Sequence, residues 1–262
     1  MRLQQLFETA EHDAEAGALA HRTALAISRA IYGAAKPVCE AEIGTYGDMF
    51  VFDADALGAS EINPALRGMC ICIGTRDPRR VTPTGMLMMF GETILGKYKQ
   101  GILIQCLPHD DFNLTKARKA VGSLGVLNIL QHEIVHAMDA DRAPGMFNVM
   151  PRSDDSHASY LRYLNHPAEF NARFHDFAST LTALAAEPPD SLRDYFDLSG
   201  LSGDFETDLK KFVDADSASR TFWKGLSNDR RRALLRRLYK LHRHVMDMVN
   251  DAPSNDNVAA AA

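Results

Sequence analysis

At 262 residues the chain is long enough for one large domain or two small ones, and its 46% hydrophobic and 24% charged fractions are those of a globular protein, not a disordered or fibrous one. The formal net charge of −5 argues against nucleic acid as the partner of the chain as a whole. No uninterrupted apolar run approaches the length that spans a bilayer.

The first residues, from Met1 to Glu8, show no apolar stretch followed by a small-residue cleavage site. The sequence therefore points to a cytoplasmic protein, with signal-free export and phage association left open. Of the four cysteines, Cys39, Cys70, Cys72 and Cys106, none forms a Cys-x-x-Cys pair. Reduced core thiols are expected, with Cys70 and Cys72 sharing one face of a strand.

In chain order, Leu3, Leu6, Phe7, Leu19, Leu25, Ile27 and Ile31 fall near helical spacing. They predict a helix over 3–32, divided at Gly17 and ended by Gly33 and Pro37. Between Val38 and Leu107 the period shortens. The runs 49–52, 69–73, 86–90 and 102–106, bounded by Gly, Pro, Asp and Asn, predict a small, mostly antiparallel sheet of about four strands. Asp111 or Asn113 can cap a helix starting near Leu114, and a fresh helix is expected from Ser123 to about Asp141, closed by Pro144 and Gly145.

A polar connection over 142–157 follows, a candidate cleft wall or lid. Helices are then expected over 158–164, from Pro167 to Ala186, within 190–222, and over 229–250. The last has Leu234, Leu238, Leu241, Val245 and Met248 on one stripe and a basic remainder that reads as a solvated face. The tail 251–262 reads as disordered.

The chemistry is concentrated in the helix from Ser123. His132 and His136 are four residues apart, hence on one helical face, where two imidazoles can reach one metal ion. Glu133 follows the first histidine and can deprotonate a water on the metal. This His-Glu-x-x-His spacing resembles the active-site helix of the zincin metallopeptidases. The resemblance implies a zinc-dependent peptidase with an α+β, zincin-like fold: a small sheet, the active-site helix, then a helical C-terminal part. It also implies that a sheet edge strand aligns an extended substrate, here Ile102–Cys106.

Subfamilies differ in the third ligand. The metzincin extension needs a glycine at position 139 and a histidine at position 142, whereas this chain has Asp139 and Arg142. Gluzincins place a glutamate on a later helix, and Glu169, in the first turn of the helix from Pro167, fits. The order of a tyrosine, Pro167 and then Glu169-x-x-Ala172 resembles small intracellular and phage-related gluzincin-like peptidases over residues 127–175. Asp139 and His157 are rivals as ligand, with His166 and His175 behind them; Asp139 also suits the orientation of a ligand imidazole. Tyr160, Tyr163 and His157 are candidates to stabilise the oxyanion.

The expected organisation is an N-terminal helical segment (1–37), a catalytic core (38–186), a helical subdomain (187–250) and the tail (251–262). The expected metal is Zn²⁺, with Mn or Co able to occupy a similar site. The expected partner is a peptide or protein substrate. A regulatory protease with one protein target and a phage-related structural protein with a non-catalytic metal remain alternatives.

Overall fold

Strand pairing sets the frame that the site is built on. The computed structural model describes residues 3–42, 47–77, 83–94, 97–143, 157–185, 202–214 and 217–251. Within these the chain forms two units, one of residues 16–150 and 167–176, the other of residues 1–15, 151–166 and 177–262.

The first unit is α+β. Its strands are β1 (Cys39–Glu42), β2 (Asp48–Asp53), β3 (Cys70–Thr75), β4 (Thr84–Ile94) and β5 (Tyr98–Leu107). They form one mixed sheet in the order β1-β2-β3-β5-β4. β1–β2, β2–β3 and β4–β5 pair antiparallel, and β3–β5 pairs parallel. The four expected runs are all strands; the fifth, β1, is only four residues long and half-buried, too short to carry a clear alternation.

The order corrects one expectation. Ile102–Cys106 is not an edge: β5 lies between β3 and β4, and β4 is outermost. The β4–β5 hairpin, with Ile94 opposite Tyr98, folds β5 back against β3, which displaces β4 outward. An uninterrupted Ile102-Leu103-Ile104 buried on both faces is the signature of an interior strand.

Period-two alternation divides the sheet's side chains. Phe50, Phe52, Ile71, Ile73, Ile102 and Ile104 face one core, and Met49, Val51, Cys70, Cys72 and Leu103 the other. Into the first core pack the helices of this unit. From α1 (Leu3–Tyr32) come Ala16, Ala20, Ala24, Ile27 and Ile31, a stripe of i, i+4 steps. The helix runs through Gly17 without a break, contrary to the expected division. A short α2 (Ala59–Ile62) and α3 (Leu114–Val121) precede α4 (Leu124–Arg142). Asn113 caps α3 by accepting from Lys116 N at 2.9 Å, and Ser123 caps α4 by accepting from Val126 N at 3.4 Å. Val126, Leu130, Ile134, Val135 and Met138 bury α4 in the same core. Each fully buried aliphatic side chain there contributes about 1.5–3 kcal/mol. The cysteines are free thiols, with Cys70 Sγ and Cys72 Sγ 3.7 Å apart on one face of β3.

The second unit is helical. It contains α5 (His157–Leu164), the later part of α6 (Pro167–Ala185), α7 (Phe205–Asp214), α8 (Ser217–Gly225) and α9 (Asn228–Asp251). Leu234, Leu238 and Leu241 of the expected stripe are buried. Asn165 stitches α5 to α8, donating to Leu161 O at 2.7 Å and Gly225 O at 2.9 Å while accepting from Ser227 N at 2.9 Å. No described helix is long and apolar enough to cross a membrane. The expected stops at Pro144 and Gly145, most of the 142–157 connection, Pro188 and Pro189, and the tail lie outside the described residues.

Candidate metal centre

Two helices of the sheet-bearing unit supply the site. His132 and His136 project from successive turns of α4, their rings 4.7 Å apart and edge-on at 89°. Glu169 projects from the first turn of α6, which Pro167 opens with its fixed backbone angle. The three are 6%, 4% and 0% exposed. Glu169 Oε2 lies 3.4 Å from His132 Nε2 and 3.5 Å from His136 Nε2. Bonds of about 2.0–2.2 Å at tetrahedral angles put neighbouring ligand atoms about 3.4 Å apart. Ligand atoms of the three all lie within 4.8 Å of one another, so the group can hold a metal ion. A buried carboxylate converging with two buried imidazoles fits a borderline metal; the imidazoles count against Ca²⁺ or Mg²⁺, which take oxygen ligands.

Charge is concentrated here. Burial opposes ionisation of Glu169, but His132, His136 and Arg173 outweigh it and hold its carboxyl well below the usual range. Burial likewise opposes protonation of His132, yet Asp176, with Glu169 behind it, lifts the imidazole to about 10 in the metal-free protein. Burial raises Glu133, against the pull of both histidines.

Around the triad lies a second layer of partners. Asp176 Oδ2 meets His132 Nδ1 at 3.0 Å, which directs Nε2 toward the ligand position. Arg173 Nε donates to Glu169 Oε1 at 2.9 Å. One carboxylate oxygen of Glu169 thus faces the imidazoles and the other the guanidinium. Asp139 is placed differently from a ligand. Its carboxylate accepts two bonds from Asn171 Nδ2, at 3.0 and 2.9 Å, and so ties α4 to α6.

Glu133 is 5% exposed and faces β4. A Cβ on Gly85 would lie 2.4 Å from Ile129 Cγ2, 2.9 Å from Glu133 Cγ and 3.0 Å from Glu133 Oε1. Only a residue without a side chain lets β4 run this close to the helix. Gly85, Asn171 and Asp176 were not singled out from the sequence. Asp176 had a legible signal, since 169, 173 and 176 fall on one helical face.

The remaining candidates do not join the triad. His175 is 3% exposed and edge-on to Phe174 at 5.2 Å. His157, Tyr160, Tyr163 and His166 belong to the helical unit. Tyr160 is 39% exposed and stacks on Tyr163 at 6.4 Å. Among the described residues, His132, His136 and Glu169 are the one group suited to a metal. No family model, curated protein or solved structure matches the chain, so the meaning of this centre rests on its own residues.

Proposed function

We propose that the chain is a zinc-dependent peptidase of the zincin type, with His132, His136 and Glu169 as ligands and Glu133 as general base. The observation that carries this reading is the buried Glu133 on the same helical turn as two converging imidazoles. A metal held only for stability needs no carboxylate beside it, and burying one costs free energy. Bound zinc supplies a Lewis acid for the scissile carbonyl and lowers the pKa of a water in the site.

The chain's own residues do the rest. Glu133 accepts the proton of the attacking water on its carboxylate and delivers it to the departing amine. Asp176 keeps the His132 tautomer that presents Nε2. Among the described residues β4 is an outermost strand of the sheet, and an extended peptide pairs along its outer edge beside Glu133 by main-chain hydrogen bonds. Gly85 brings that edge to the base.

Replacement of Glu133 by Gln tests the scheme in the full-length protein. Zinc content should stay at the wild-type level while hydrolysis of a peptide library falls by about two to four orders of magnitude. Hydrolysis surviving in that variant would remove Glu133 from the mechanism. A wild-type protein that binds zinc and cleaves nothing would mark the centre as structural.

A further inference from the structure

We propose that Arg173 forces Glu169 to bind metal through one oxygen, and that the Glu169–Arg173–Asp176 face of α6 thereby sets coordination number and metal choice. The inference rests on the reading of the triad as a metal site and goes beyond it by assigning Arg173 a positioning role.

Two oxygens of one carboxylate ordinarily compete for the same cation. Here they point to different partners: Oε2 to the two imidazoles at 3.4 and 3.5 Å, Oε1 to Arg173 Nε at 2.9 Å. A charge-assisted bond of that length occupies Oε1 and fixes the carboxylate plane. Rotation into a bidentate pose would break it inside a pocket where Glu169 is wholly buried. Arg173 is itself anchored, since its Nη1 lies 3.5 Å from Asp176 Oδ2. The same Oδ2 lies 3.0 Å from His132 Nδ1. The brace therefore closes on itself, from one ligand through Arg173 and Asp176 to another ligand.

One helical face supplies all three residues through steps of four and three, so a single turn geometry sets the ring. Monodentate carboxylate with two imidazoles leaves a low-coordinate site, which suits Zn²⁺ or Co²⁺. Larger cations that take carboxylates bidentately lose by it. Arg173 is about one-third exposed, so its outer face is wet and its replacement does not empty the core.

Cobalt is the probe. Co²⁺-loaded wild-type protein should show the intense visible absorption of four-coordinate cobalt. Arg173→Met removes the donor and leaves a stem of similar length. It should bind cobalt with clearly weaker absorption, lower zinc affinity about 10–100-fold in chelator competition, and narrow the preference for zinc over manganese. Arg173→Lys should recover part of the affinity without the wild-type spectrum, because an ammonium cannot grip Oε1 and Asp176 with the same planar fork.

If Arg173→Met loses its fold, X-ray absorption on zinc-loaded wild-type protein decides the matter, and an extra carboxylate oxygen in the shell would overturn the proposal. An unchanged cobalt spectrum and affinity in a folded Arg173→Met would also overturn it, with the metal site left standing. A wild-type protein that takes up neither cobalt nor zinc would instead refute the metal site itself.

Discussion

Glu169 is the residue on which the centre depends. It is wholly buried and charged, with two imidazoles and a guanidinium for company. Replacing it by Ala would remove one of the three proposed ligands and leave Arg173 facing a void. Zinc occupancy measured after dialysis should fall from near one per chain to a small fraction. Occupancy at the wild-type level would show that another side chain completes the shell. His132, Glu133 and His136 were legible in the sequence because spacing on one helix fixes relative position, and Glu169 only through the resemblance to gluzincins, which place a glutamate on a later helix. Asn171 was not, because an amide on a helix is ordinarily a solvated residue until its partner across the fold is known, and Asp176 showed only the helical face it shares with Glu169, not its partner His132. Gly85 was invisible for the same reason: a glycine in a strand says that something comes near, not what. A Gly85→Ala change tests that closeness. Its methyl group would fall 2.4 Å from Ile129 Cγ2, so overpacking should cost about 1–3 kcal/mol. The melting temperature reads the cost; an unchanged value would show that β4 is not held against α4 at Glu133.

Elements were more legible in kind than in order. The longer helices and four of the five strands follow from periodicity, since burial of one face leaves its mark in the residues themselves, whereas the four-residue α2 was not expected. Strand order follows from long-range pairing, which no local pattern records, and this is why the interior β5 was taken for an edge. Among the helices, one tie binds α7 to α9 and was also absent from the local pattern. Asp208 is 1% exposed and accepts from Ser202 N at 2.9 Å and from Ser202 Oγ and His242 Nε2 at 2.8 Å each. Lys211 adds a longer contact at 3.8 Å. Burial works against the Asp208 carboxylate, but the bonds from Ser202 and His242 prevail and lower its pKa. A carboxyl depressed in the folded state gives stability that is present above its unfolded pKa and lost as pH falls through the folded one. The helical unit should therefore weaken on acidification below the ordinary carboxylate range. Asp208→Ala leaves His242 and Ser202 without their acceptor and should cost about 1–3 kcal/mol at neutral pH. Denaturant titrations across pH check both points: in the variant the acid limb should flatten, and an acid limb as steep as in the wild type would assign the effect to other groups.

At the scale of the whole molecule, a metal held by His132, His136 and Glu169 would link segments far apart in the chain. His132 and His136 sit on α4 and Glu169 on α6, and the Asp139–Asn171 and His132–Asp176 pairs also tie these helices together. Both helix segments belong to the sheet-bearing unit, so a bound metal would stabilise the packing of α6 onto α4 in that unit. An ion that binds the folded site and not the unfolded chain stabilises by RT ln(1 + [M]/Kd), about 4 kcal/mol when free metal is a thousandfold above Kd. Stripping the protein with a chelator should lower the melting temperature, and added zinc should restore it. The gain should be localised. Hydrogen exchange should slow in Leu124–Arg142 and in residues 167–176 when zinc is added, because the ion holds together the two elements it bridges. Protection rising in neither segment, with zinc bound, would mean that these helices are already locked by their apolar contacts. In that case Glu169 would be a ligand without a structural role, and the centre's contribution would be to chemistry alone.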